Sequence, residues 1–366
     1  MRLLTSPARL IKLAFVMLCL LVGVALMIAQ DKPEKKEEQA PTIRIDTELV
    51  SVEVGVTDST GKRNATTLRA EDFVVYEDGV RQKVSNFSTT DVPFNLVLVI
   101  DTSGSTRDEV ALMRRAARRF LDELRPKDRV AVIEFNEKVE LLEDLTSDRG
   151  KIQKALHLLQ PGNGTSFYDA LQLTVDEVLK KIDGRKAVVA LTDGVDSYGY
   201  YTFDQVMPEL EKSGASCYFL DIDTEAFTEE RMMRDCNDES HFKFSRKQLK
   251  KYHDEYGIDA EPLQSENHCE LSKLERRQIN RRLYEAARKE LRQMASKTGG
   301  RVYPVKQLQQ LEPAYAQIAA ELRTQYSIGY YPTNDHHDGQ WRKLRIEVKQ
   351  PGFMVQTKPG YRAPKD

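Results

Sequence analysis

The sequence predicts an α/β fold: a doubly wound, mainly parallel, Rossmann-like sheet, joined to a small β-sandwich built from N- and C-terminal strands. Two observations lead there. Residues 94–222 alternate apolar strand patterns with amphipathic helix patterns, as a parallel sheet covered on both faces requires. Residues 42–90 and those beyond 325 read instead as strands separated by turn residues. Neither stretch is long enough to bury a good core alone, so pairing them into one sandwich around an inserted α/β domain is the economical solution.

The chain opens with a targeting segment. Arg2, Arg9 and Lys12 precede an unbroken apolar run, residues 13–29, the layout of a signal peptide or a signal anchor. The run is slightly short for a span of about 20 residues. Met27 stands where a cleavage site after Ala29 wants a small residue, so cleavage and retention both stay open. Cys19 lacks the small preceding residue of a lipoprotein signal. Positive charge before the apolar run places the N-terminus in the cytoplasm and the rest outside. The expected location is extracytoplasmic: periplasmic, secreted or anchored in the inner membrane through residues 13–29. Residues 30–41, QDKPEKKEEQAP, form a polar linker.

Composition narrows the partners. The chain has 366 residues, enough for two domains. Its formal net charge is -2 with 31% charged residues, so no basic excess points to nucleic acid. A hydrophobic fraction of 40% suits a globular protein.

The N-terminal β segment spans 42–91. Val50, Val52, Val54 and Val56 alternate with Ser51, Glu53, Gly55 and Thr57, which is period two. A second strand at Phe73 to Tyr76 precedes Asp78-Gly79, a hairpin signal. The α/β domain follows, at 92–325. Strands are expected at 95–100, 129–135, 186–192 and 217–222, with helices at about 107–124, 148–159, 167–182 and 204–213, and a short edge strand from Lys138 to Leu142. A charged, helix-prone insertion at 224–285, with Arg and Glu at helical spacing from Leu271 to Ala287, interrupts the rhythm. It follows a strand, so it should flank the carboxyl edge of the sheet. A helix near 286–297 then stops at Gly299-Gly300, before a strand at 301–305 and a helix at about 308–323. The C-terminal β segment, 326–366, holds three strand patterns. Cys217 falls in a strand as a small hydrophobe. Cys236 and Cys269 share the charged insertion, where a disulfide is compatible with an extracytoplasmic compartment.

Val97-Leu98-Val99-Ile100 reads as a buried strand, and Asp101, Ser103 and Ser105 follow it at alternate positions. Residues there sit where open α/β sheets hold ligands. Two further loops belong to the same edge: one from Gly162 to Asp169 with Thr165, the other Leu191-Thr192-Asp193-Gly194. Two carboxylates and three hydroxyls suit a hard cation, namely Mg²⁺, Mn²⁺ or Ca²⁺.

These residues resemble the von Willebrand factor type A domain with its metal-ion-dependent adhesion site. That pattern is Asp-x-Ser-x-Ser, then a Thr, then an Asp. It maps here to Asp101, Ser103, Ser105, Thr165 and Asp193, across roughly residues 94–323. The head (IRIDTELVSVEVGVTD, AEDFVVYEDG) and tail (YSIGYYPTN, PGYRAP) also resemble bacterial secreted VWFA-related proteins. The resemblance implies a bound divalent cation and a protein ligand presenting an acidic residue.

Other readings stand beside this one. Asp-Thr-Ser-Gly-Ser alone could serve as a helix cap. Asp169 and Asp196 read as dipole-favoured or solvated carboxylates rather than ligands. Tyr198, Tyr200 and Tyr201 either anchor a partner or pack over the sheet. His241, His253, His268, Cys236 and Cys269 match no tight zinc spacing. No enzyme is expected: there is no Gly-x-Ser-x-Gly elbow and no phosphate loop with Lys. A hydrolase using Asp101 as nucleophile would want a second acid where Ser103 stands. An envelope scaffold with a structural metal is the alternative binding-free reading.

Overall fold

The computed structural model describes residues 49–58, 68–88, 93–104, 110–233, 243–258, 265–267, 270–323 and 325–365. It opens with strands β1 (Val50–Asp58), β2 (Phe73–Glu77), β3 (Val80–Gln82) and β4 (Val84–Ser88). The α/β part runs β5 (Asn95–Asp101), α1 (Val110–Glu123), β6 (Arg129–Phe135), β7 (Val139–Thr146), α2 (Arg149–Leu158), α3 (Phe167–Leu173), β8 (Lys186–Thr192), α4 (Phe203–Ser213) and β9 (Ser216–Ile222). The inserted segment carries α5 (Glu225–Met233), β10 (Lys243–Ser245), α6 (Arg246–Tyr256), β11 (Ser265–Asn267) and the long α7 (Lys273–Thr298). Then come β12 (Arg301–Val305), α8 (Leu311–Arg323), β13 (Gln325–Tyr330), β14 (Trp341–Val348), β15 (Phe353–Gln356) and β16 (Gly360–Arg362).

The central sheet has the order β12-β9-β8-β5-β6-β7. All neighbours are parallel except the edge strand β7, which runs antiparallel to β6. Every residue of β5 is buried, because both faces are covered. Leu96, Leu98 and Ile100 pack with α1, α2 and α8, while Val97 and Val99 pack with α3, α4 and α7. An apolar run without alternation is what such a strand needs.

Head and tail strands interleave in two antiparallel sheets, β15-β1-β13-β4 and β16-β14-β2-β3. Val52, Val54 and Val56 of β1 share one core with Tyr326, Ile328 and Tyr330 of β13 and with Val75, Leu344 and Ile346 of the other sheet. Glu77 draws the two sheets together by accepting the hydroxyls of Tyr330 at 2.7 Å and Tyr361 at 2.8 Å. Arg185 ties this sandwich to the α/β part. It pairs with Glu53 at 3.4 Å and donates to the carbonyls of Leu322 and Gln325 at 2.9 and 3.0 Å.

The stop at Gly299-Gly300 is steric as well as conformational. Gly299 has φ +79, and a Cβ on Gly300 would stand 1.8 Å from the Cys217 carbonyl oxygen. That close passage lets β12 lie beside β9.

One helix differs from expectation. α7 begins at Lys273 rather than near 286, capped by Ser272, whose Oγ accepts Glu275 N–H at 3.2 Å while Glu275 returns an acceptor to Ser272 N–H at 2.8 Å. Its first half buries Ile279 and Leu283 against Met232, Phe244 and Leu249. Charge hid that stripe from the sequence pattern. Arg276 is itself buried, its guanidinium donating to the carbonyls of Leu271 and Met232 at 3.0 Å. Cys217 is a buried free thiol, pushed up to about 12 by desolvation. Cys19, Cys236 and Cys269 lie outside the described residues, and so do residues 13–29. No helix among the described residues is long and apolar enough to cross a membrane.

Candidate metal centre

β5 and β8 are adjacent and parallel, with Ile100 opposite Leu191. Asp101, the last residue of β5, and Asp193, the first beyond β8, therefore leave the sheet at the same carboxyl edge. Asp101 is fully buried. Its Oδ1 accepts Ser103 N–H at 2.9 Å and its Oδ2 accepts the Thr192 hydroxyl at 2.7 Å. Burial pushes its carboxyl well above the usual carboxylate range, and the negative charge of Asp193 adds to that push against the hydrogen bonds of Ser103 and Thr192.

The loop carrying Thr165 is drawn over the ends of β5 and β6. Gly162 N–H donates to Thr102 O at 2.8 Å, and Ser166 N–H donates to Asn136 O at 2.7 Å. Glu137 gathers the same loop by accepting Asn163 N–H at 2.6 Å, which holds its carboxyl below the usual range. Thr102 donates to Glu134 at 2.9 Å, and Glu134 also accepts Gln160 N–H at 2.5 Å.

Thr165 is buried, with its N–H on Ser197 Oγ at 3.0 Å and its carbonyl accepting the N–H groups of Ser197 and Tyr198, each at 2.9 Å. Asp193 is also buried. Its Oδ1 accepts Val195 N–H at 2.9 Å, and its Oδ2 accepts the Thr224 hydroxyl at 2.5 Å. Thr224 Oγ1 in turn lies 2.8 Å from the Tyr284 hydroxyl of α7. Four of the five expected positions, Asp101, Ser103, Thr165 and Asp193, thus meet on one edge. Ser105 lies outside the described residues.

Asp196 departs from a solvated carboxylate. It is buried, accepts Phe167 N–H at 2.7 Å at the start of α3, and pairs with Lys247 of the inserted segment. Burial pushes it up to about 6, against the opposing pull of Lys247. Asp169 accepts the N–H groups of Tyr200 and Tyr201 at 2.9 Å. Among the described residues no group of three or more His, Cys, Asp or Glu side chains is arranged to hold a metal. His241, His268, Cys236 and Cys269 lie outside those residues.

Sequence reasoning missed Thr192, Thr224 and Lys247 as supports of this edge. Thr192 adjoins Asp193 and was findable. Thr224 and Lys247 reach it only through the folding of the insertion.

The strand-end carboxylates, the Thr165 loop and the parallel sheet coincide with a match over residues 96–195 to the family model of the von Willebrand factor type A domain. Over residues 96–195 the chain carries a von Willebrand factor type A domain. It is similar to the vWF domain of the type V pili tip protein Mfa5 from Porphyromonas gingivalis, with 24% identity, 29% of this chain covered and a TM-score of 0.27. The chain spans 39% of that structure's length. It is similar to BatB from Bacteroides thetaiotaomicron at 16% identity, with 63% of this chain and 98% of that one covered and a TM-score of 0.39. A von Willebrand factor type A protein from Catenulispora acidiphila matches at 12% identity over 88% of this chain and 75% of that one, with a TM-score of 0.42. In this A domain the inserted segment lies against the loop after Asp193, through Thr224 and Lys247.

Proposed function

We infer that this chain is an extracytoplasmic, metal-dependent protein-binding module that captures an acidic group of a partner through a divalent cation. The observation that carries this reading is the buried pair Asp101 and Asp193 on one sheet edge, with Ser103 and Thr165 beside them. Two like charges in a buried edge oppose each other, and a cation relieves that opposition. The donor set is all oxygen, which fits Mg²⁺, with Mn²⁺ and Ca²⁺ also compatible. Asp101, Ser103, Ser105, Thr165 and Asp193 would hold the ion, some of them through water. A bound divalent cation with an open position supplies a Lewis-acidic contact for a carboxylate.

The protein's own share is orientation. Thr192 fixes one carboxylate and Thr224 the other, as hydroxyl donors behind metal ligands do. The extracytoplasmic location rests on Arg2, Arg9 and Lys12 before the apolar run at 13–29.

Passing envelope proteins over the immobilised full chain tests this. A protein retained in Mg²⁺ and lost both with chelator and on Asp101→Ala supports the reading. Retention regardless of both refutes it. An Asp101→Ala variant that loses its fold along with its partner would favour a structural metal in an envelope scaffold.

A further inference from the structure

Tyr198, Tyr200 and Tyr201 follow Asp193 in one loop and are 54%, 94% and 39% exposed. The backbone beneath these rings is fixed. Asp169 takes the N–H groups of Tyr200 and Tyr201 at 2.9 Å. Lys247 donates its ammonium to the carbonyls of Tyr198 at 3.0 Å and Tyr201 at 2.6 Å, and pairs with Asp196. The Tyr198 ring rests on Gly164, where a Cβ would come within 2.2 Å of it. Tyr198 N–H donates to Thr165 O at 2.9 Å, so the aromatic loop and the candidate metal edge share a backbone hydrogen bond.

Fixing a loop costs conformational entropy. A loop fixed so firmly while three rings stay in water is arranged for association, where preordered aromatic side chains lose least on binding. The carboxylates of Asp169 and Asp196 and the ammonium of Lys247 all turn onto the loop's own backbone or onto each other. The loop therefore offers a partner ring faces and hydroxyls rather than charge.

We propose that Tyr198, Tyr200 and Tyr201 form a preformed contact ledge for an extended protein segment whose carboxylate reaches the metal edge and whose neighbouring side chains are apolar. Lys247 is the positioning residue that holds the ledge. This rests on the metal-dependent reading above and names the chemistry of its partner beyond the carboxylate.

Two labelled pentapeptides, Gly-Gly-Asp-Gly-Gly and Leu-Pro-Asp-Pro-Leu, serve as probes of the full chain in Mg²⁺, read by fluorescence anisotropy. The apolar-flanked probe should bind about tenfold more tightly, the increment of a partly buried apolar side chain. Tyr200→Ala should erase that preference while leaving the glycine probe's affinity and the Mg²⁺ affinity unchanged, and Lys247→Met should erase the preference too. Lys247→Met should also speed amide exchange at residues 198–202, and Lys247→Arg should restore both properties. Equal affinity for the two probes, or a preference surviving Lys247→Met, overturns the ledge alone. Mg²⁺ binding without capture of either probe overturns it as well. An absence of Mg²⁺ binding overturns the underlying metal reading together with the ledge.

Discussion

Thr192 donates its hydroxyl to Asp101 Oδ2 at 2.7 Å, and Gly194 N–H donates to that same hydroxyl oxygen at 2.9 Å. The residue preceding one buried carboxylate thus orients the other. On the far side, Thr224 orients Asp193 from the first residues of the inserted segment. A hydroxyl donor thus holds each of the two acids in place.

Thr224→Val should weaken Mg²⁺ binding by roughly tenfold, the scale on which outer-shell partners tune metal affinity. Thr224→Ser should keep most of it. Calorimetric titration of the two variants compares them directly. Equal affinities would mean that Asp193 is oriented without its hydroxyl donor.

Asp196 gives the A domain a pH signature. Its carboxyl, pushed up to about 6, binds a proton more tightly in the folded chain than in the unfolded one, where an ordinary Asp titrates near ~4. Its contribution to stability is therefore full below that lower value and is lost as pH rises through about 6. Urea unfolding across this window should show wild type losing stability more steeply than Asp196→Asn. Matching slopes for the two proteins would contradict the assignment.

Arg185 is the electrostatic pin between sandwich and α/β part. It is 2% exposed and faces Glu53, whose carboxyl burial raises despite the guanidinium. Arg185→Met should cost about 3 kcal/mol, because it leaves a buried acid and two carbonyls uncompensated. Chemical denaturation measures this. A loss below about 1 kcal/mol would show that water replaces the guanidinium there.

The central sheet was legible because its strands are apolar on both faces and its turns are polar, as Val97 to Ile100 followed by Asp101 illustrates. Asp101 and Ser103 could be proposed from sequence because they follow an apolar strand at alternate positions. The stretch from Leu271 to Ala287 showed Arg and Glu at helical spacing, but not that it continues as one helix into 286–297, because Arg276 and its charged neighbours mask a buried stripe at Ile279 and Leu283. The antiparallel pair of β10 and β11 was missed because each strand is only three residues long and mostly polar. Thr224 lies 31 residues from Asp193, and Lys247 reaches Asp196 only once the insertion has folded back. No local pattern encodes such contacts.

Calorimetric titration of the full chain with Mg²⁺, beside the Asp101→Ala variant, tests the central claim most directly. Saturable binding is expected in the wild-type chain, none in the variant, and the same circular dichroism spectrum for both. An unchanged Mg²⁺ affinity in Asp101→Ala would contradict it.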